Sequence, residues 1–143
     1  MMAQISEFAA NHPIMVIAFV TLLVLVFFNE LKIASQNFAS VTPAAAVQLM
    51  NNEDVVVLDV REPAETAVGG KIEKAIQIPQ SSVAQRINEL EKHKNKTLLV
   101  YDKMGVRAGA ACKELNKSGF EKVYSLKGGL AAWQEAHLPL SKK

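Results

Sequence analysis

Apolar positions along the chain fall into two regimes. Residues 13–28, Pro-Ile-Met-Val-Ile-Ala-Phe-Val-Thr-Leu-Leu-Val-Leu-Val-Phe-Phe, carry no charge and one hydroxyl, so a helix here is apolar on every face. From Val41 onward the apolar runs are short and the period changes repeatedly. Thr42-Pro43-Ala44 is an N-cap followed by proline at the first helical position, which predicts a helix through about Met50. Val55-Val56-Val57-Leu58-Asp59-Val60 is β-branched and, but for Asp59, apolar throughout, the pattern of a strand buried on both faces. Ala75–Ile78 predicts a second strand, stopped by Pro79. Ser82 starts a helix with Val83, Ile87 and Leu90 on one stripe. Thr97–Tyr101 is another buried strand, and a glycine-containing loop leads to a helix over Val106–Lys117 that Gly119 ends. Val123–Leu126 is a further strand, and Gly128-Gly129 opens a last short helix carrying Trp133. Strands alternating with helices predict an α/β domain with a mostly parallel central sheet flanked by helices, preceded by one N-terminal transmembrane helix.

The first regime sets the domain organisation. As a helix, residues 13–28 span about 24 Å, and counting from Phe8 gives roughly 31 Å against a hydrocarbon core of about 30 Å. The expected order is an N-terminal flank 1–12, a membrane helix 8–28, a juxtamembrane connector 29–40 and a folded domain 41–141. A cleaved signal peptide needs a positive n-region, and no Lys or Arg precedes Lys32. A buried core helix does not suit a segment apolar all round. With Glu7 on one flank and Lys32 on the other, the positive-inside tendency leaves the C-terminal domain in the cytoplasm. Leu31, Ile33 and Phe38 make the connector too apolar for a free tether.

Composition narrows the function classes. Sixteen Lys and Arg against fourteen Asp and Glu give +2 over 143 residues, too balanced for a dedicated nucleic-acid binder. One cysteine excludes a disulfide scaffold and a cysteine-rich metal site, and His12, His93 and His137 make no metal spacing with it. No metal and no cofactor are expected. A lone cysteine also suits a reducing compartment.

Sites in parallel sheets lie beyond the carboxyl ends of the strands. The loop Tyr101-Asp102-Lys103-Met104-Gly105-Val106-Arg107-Ala108 leaves a buried strand and enters a helix, so its backbone N–H groups converge and the helix dipole adds to them. Gly105 allows a tight path, and Arg107 can brace the loop or bind an anion.

From about Val41 to Leu140 the chain resembles a single rhodanese domain, the fold of thiosulfate and mercaptopyruvate sulfurtransferases. Val57-Leu58-Asp59-Val60-Arg61-Glu62-Pro63-Ala64-Glu65 is similar to the family's D-V-R-E-x-x-E segment, and Ala75–Pro79 to A-I-N-I-P. The six-residue loop ending in Gly105-Val106-Arg107 follows, and Gly119-Phe120, Val123, Leu126, Gly128-Gly129 and Trp133 fit the terminal pattern. The resemblance implies a C-x-x-G-x-R loop whose cysteine carries sulfur as a persulfide. In this chain that position is Asp102, and Gly70-Lys71-Ile72-Glu73-Lys74 replaces the usual G-H-I-P-G. A carboxylate forms no persulfide, and its charge repels thiosulfate. The resemblance therefore implies a scaffold without its nucleophile. With the anchor included, the chain resembles the membrane-anchored single-rhodanese proteins of Gram-negative bacteria, which implies the bacterial inner membrane.

Each candidate has a plainer alternative. Asp102 can hold the loop as a capping carboxylate does. Use of it as a phosphate-accepting nucleophile needs a second carboxylate for Mg²⁺, which Lys103-Met104-Gly105 does not supply. Cys112 shares an apolar stripe with Ala108 and Leu115, a core position, while the alternative makes it a sulfur carrier. Asp59 and Arg61 stand at a strand end, where Arg61 lines the mouth of the site or pairs with Glu62 or Glu65. Lys92-His93-Lys94-Asn95-Lys96 reads as a solvated loop that could also meet an anionic leaflet, and Trp133 as a core anchor. The leading expectation is a catalytically inactive adaptor at the cytoplasmic face, anchored in the bilayer through residues 8–28. Its expected partner is another membrane protein or a cytoplasmic one. The alternative is a sulfurtransferase using Cys112, and a third reading places a small anion in the loop cradle beside Arg107.

Overall fold

The computed structural model describes residues 1–34 and 38–142. The chain divides into two compact units, Met1–Gln36 and Asn37–Lys143. In the first, α1 (Met2–Asn11) ends at His12, whose φ of −131° and ψ of 57° are not helical, and α2 (Pro13–Ala34) begins at once. Proline has no N–H and restricts the residue before it, so the helix breaks at His12-Pro13. The expected single helix over 8–28 is thus divided. Its first four residues belong to α1, and α2 runs six residues past Phe28. Pro13–Leu31 is long and apolar enough to cross a membrane, with a mean hydropathy of 2.5 over 19 residues, about 28 Å of helix.

The connector expected over 29–40 is correspondingly reduced. Asn29–Ala34 continue α2, while Ala39 and Ser40 belong to β1 (Ala39–Val41), which no sequence pattern indicated. Residues 35–37 lie outside the described residues. Three residues are too few to show a period, and the pairing of Ala39 with Tyr124 and Val41 with Leu126 is what makes them a strand.

The second unit continues with α3 (Pro43–Asn52), β2 (Val55–Asp59), α4 (Pro63–Gly69), β3 (Ile76–Gln77), α5 (Val83–Arg86), β4 (Thr97–Tyr101), α6 (Val106–Lys117), β5 (Val123–Leu126) and α7 (Gly129–Glu135). The sheet order is β1-β5-β4-β2-β3 with every pairing parallel. Successive residues of β2 and β4 feed opposite cores. Leu58, Leu98 and Val100 pack with Val83, Cys112 and Phe120 on one face. Val57, Leu99 and Tyr101 pack with Ala46, Leu130 and Trp133 on the other. A two-residue period with helices on both sides is why these strands read as unbroken apolar runs.

Two local differences have physical causes. Ser82 makes no cap, and after one turn of α5 residues Ile87–His93 wind as a 3-10 helix with Ile87, Leu90 and His93 three apart. Helix α4, which hydrophobic periodicity does not mark, starts with Pro63 at its first position, and the Glu62 N–H donates to Glu65 Oε2 at 3.0 Å. Gln77 Nε2 donates to Thr66 Oγ1 at 2.6 Å and fastens α4 to β3.

A buried ionic network closes the carboxyl end of the sheet. Asp59 accepts from the backbone N–H of Arg61 at 3.0 Å, from Arg61 Nη2 at 2.6 Å and from the Tyr101 hydroxyl at 2.8 Å. Arg61 Nη2 also donates to the Gly70 carbonyl at 2.7 Å, and the Tyr101 oxygen accepts from the Ile72 N–H at 3.1 Å. The segment after α4 is thereby fixed to β2 and β4. Removing one side of such a buried pair leaves the other charge uncompensated. Asp59→Ala is expected to cost about 3–5 kcal/mol and Tyr101→Phe about 1–2 kcal/mol, read from urea unfolding of the full chain in detergent micelles. Equal, small losses from both would contradict the network's role.

Candidate functional site

The loop between β4 and α6 turns through Asp102-Lys103-Met104-Gly105. Its path needs two glycines. Gly105 has a φ of +91°, and a Cβ on Gly129 (φ +60°) would lie 2.6 Å from the Asp102 carbonyl oxygen and 2.7 Å from the Gly105 nitrogen. Helix α7 therefore abuts the loop, and its first N–H groups are used there. Leu130 donates to the Asp102 carbonyl at 2.8 Å and Ala131 to that of Lys103 at 3.1 Å.

The Asp102 side chain is 2% exposed. Its carboxylate accepts from the Gly105 N–H at 2.5 Å and from the Arg107 N–H at 2.9 Å. The loop's own acid thus occupies the concavity formed by its N–H groups. The Arg107 guanidinium lies 3.9 Å from Asp102 Oδ2 and makes a two-pronged pair with Glu65 on α4, at 2.9 and 2.7 Å. Arg107 braces the loop against α4. Its two hydrogen bonds, with that from the Glu62 N–H, lower the Glu65 carboxyl from 4.5 to about 2.

Arg61 and Asp59 are placed differently from the expectation. Arg61 does not pair with Glu62 or Glu65, because the Asp59 carboxylate is nearer and wholly buried. Asp59 does not reach the mouth of the site. Arg61, 2% exposed, forms part of the floor of a hollow of about 370 Å³ between α4 and α7, walled by Ala64, Val68, Lys103, Leu130 and Gln134. Periodicity gave no sign of this hollow, since its walls come from three separate segments. Cys112 lies fully buried on α6, its thiol pushed up to about 12 by burial first and the Asp102 charge second. Trp133 is buried and donates from Nε1 to the Pro139 carbonyl at 3.0 Å. In the basic stretch, Lys94 pairs with Glu91 and Lys96 with Asp54. Among the described residues no group of three or more His, Cys, Asp and Glu side chains could hold a metal ion.

Exposed apolar side chains complete the site. Among the described residues of this unit, the large ones are Val68, Met104 and Val106, at 90%, 62% and 80% exposure. All three stand at this end of the sheet, Val68 on α4 and the other two on the loop and the start of α6.

An all-parallel sheet closed by a β4–α6 anion-cradle loop under a Gly-Gly turn defines the class of protein. The chain belongs to the rhodanese-like domain family, which it matches over residues 42–136. It is 35% identical to the protein YibN of Escherichia coli (strain K12), with 97% of each chain covered. It is 36% identical to a protein named sulfurtransferase from Allochromatium vinosum, over 65% of this chain and 84% of that one. The rhodanese-related protein of Thermoplasma volcanium superposes with a TM-score of 0.66 at 29% identity, covering 74% of this chain and all of that one.

Because the folded carboxyl of Glu65 titrates below its ordinary value of 4.5, the pair with Arg107 stabilises the fold fully above that pH and loses its effect as pH falls toward 2. Carbon-detected NMR is expected to give a Glu65 midpoint near 2, and Arg107→Gln to move it up toward 4.5. An unchanged midpoint in the variant would show that Arg107 is not the cause.

Proposed function

We propose that this chain is a bilayer-anchored rhodanese-fold module that binds a partner protein and does not transfer sulfur through its loop. The carrying observation is the Asp102 carboxylate, buried at the cysteine position and bonded to the N–H groups of Gly105 and Arg107. A sulfurtransferase loop must leave those donors to stabilise charge arriving with the substrate. Here the donors are taken, and the atom that would receive sulfur is absent.

What remains at this end of the sheet suits a macromolecule better than a small anion. Val68, Met104 and Val106 are large apolar side chains left exposed at this end of the sheet, and exposed apolar surface of that kind suits an interaction site. The Pro13–Leu31 span confines the domain to a surface, and the flanking charges orient it toward the cytoplasm, in a bacterial inner membrane. The partner is a membrane protein or a cytoplasmic protein recruited there.

The name of the Allochromatium vinosum relative favours a second reading, sulfur transfer. It would require Cys112, whose thiol lies in the core with its pKa pushed up to about 12. A thiolate fraction so small at neutral pH, and no access, oppose it.

The full chain in detergent micelles is incubated with thiosulfate beside an Asp102→Cys variant, and intact mass and thiocyanate formation are read. The wild type is expected to gain no sulfur, and Cys112 to resist iodoacetamide until unfolded. Gain of one sulfur by the wild type, abolished by Cys112→Ser, would establish the second reading. For the partner, photo-crosslinking from Val68 and Met104 in native membranes is expected to trap a defined protein that a probe at Ala84, on α5, does not.

A further inference from the structure

Helix α1 is two-sided in a way that α2 is not. At about 100° per residue, Met2, Ile5, Phe8 and Ala9 fall within an arc of about 120°, and Gln4, Glu7 and Asn11 gather on the far side. The apolar arc is uncovered. No residue of α1 is buried, and Met2, Ile5 and Phe8 are each more than half exposed. Ten residues are also too few for a helix to persist in water unless one face is packed. Something apolar has to lie against this arc.

Length and backbone fix where that surface is. Pro13–Leu31 supplies about 28 Å of helix, which by itself fills a hydrocarbon core of about 30 Å. Standing on end above it, α1 would either carry Gln4, Glu7 and Asn11 into hydrocarbon or leave Met2, Ile5 and Phe8 in water. The backbone avoids both. His12, with φ −131° and ψ 57°, leaves the helical region, and Pro13 opens α2, so α1 does not prolong the axis of α2. Only His12 separates the two helices, so α1 starts at the boundary of the core. The Phe8 ring centroid is 4.9 Å from that of His12, which puts an aromatic pair at the bend, where membrane interfaces favour such rings. Laid along that boundary, the apolar arc meets acyl chains and the polar arc meets headgroups and water.

Charge identifies the kind of attraction. Glu7 is the one charged side chain between Met1 and His12, and no Lys or Arg stands there. Attachment to anionic headgroups through basic side chains has no donor on this helix, and burial of apolar area is the attraction that remains.

We infer that α1 is an interfacial helix, lying flat on the membrane surface at which α2 begins, with Met2, Ile5 and Phe8 sunk between headgroups and acyl chains. The inference rests on the reading of Pro13–Leu31 as a membrane span and assigns the bilayer surface as the occupant of the exposed face of α1. Residues 8–12 then run along the membrane instead of through it.

In the full chain carrying Cys112→Ala, one residue at a time among Gln4, Ile5, Glu7, Phe8, Asn11 and Leu22 is replaced by cysteine and labelled with a nitroxide. Each protein is reconstituted in phosphatidylcholine vesicles with and without phosphatidylglycerol, and collisions of the label with oxygen and with a water-soluble nickel chelate are measured. Labels at Ile5 and Phe8 are expected about 5–10 Å below the phosphates, those at Gln4, Glu7 and Asn11 in water, and that at Leu22 near the midplane, equally in both lipids. Adding Ile5→Asp is expected to bring the Phe8 label out into water and to leave the Leu22 label where it was. A depth that changes steadily from Gln4 to Asn11 would mean that α1 stands upright and overturns the inference, as does nickel access at all five positions of α1. Labels at Ile5 and Phe8 shielded from both reagents would place a second copy of the chain on that face, and burial only with phosphatidylglycerol would make the attachment electrostatic; each overturns it. Those four results leave the span intact. A Leu22 label outside the hydrocarbon removes the span itself, and the inference with it.

Discussion

The Asp59 carboxylate, wholly buried between Arg61 and Tyr101, is the interaction on which the upper half of this domain depends. It joins the carboxyl ends of β2 and β4, and through Arg61 and Tyr101 it also fixes Gly70 and Ile72 beyond α4. Burying an ion pair is expensive, and it is tolerable here because nearly every donor and acceptor of the network is satisfied. One consequence is geometric. With the guanidinium held from below, helix α4 is set at a fixed height, and Glu65 on α4 meets Arg107 on α6.

A second carboxylate then determines the chemistry. In a loop of this shape the N–H groups of Gly105 and Arg107 form a preorganised anion site, and any acid able to reach it gains charge-assisted hydrogen bonds. Asp102 reaches it from within the loop. An internal anion at fixed position competes with external ones at an effective concentration that free solutes do not attain. The carboxylate thus fills the site from within the loop. The cores on both sides of the sheet are closed, by Leu130 and Trp133 on one face and by Cys112 and Phe120 on the other.

Much of the fold was legible because its signals are local or periodic. The apolar runs Val55–Val60 and Thr97–Tyr101, the Thr42-Pro43 start and the Gly119 stop each encode an element within a few residues. Strand β1 was not legible, since Ala39–Val41 is a strand only by pairing with β5. Helix α4 was missed because it has no buried stripe; its signal lay in Pro63 and Glu65 at the first and third positions. The position of Asp102 was readable from the order of motifs around it. The partner of Arg61 was not, since Glu62, Glu65 and Asp59 lie at similar separations along the chain and differ in burial.

The sequence by itself determined an apolar N-terminal helix, a parallel α/β domain, and a glycine-containing loop with an acid at its start. These follow from hydrophobic period, caps and motif order, which are properties of neighbouring residues. Only the tertiary structure decided that Asp102 turns inward, that Arg61 pairs with Asp59, and that Val68, Met104 and Val106 are left exposed. Each of those depends on which side of an element faces which other element, and on which competing partner is the more deeply buried. Segments far apart in the chain meet there, as Glu65 and Arg107 do at a separation of 42 residues, and no local pattern carries that information.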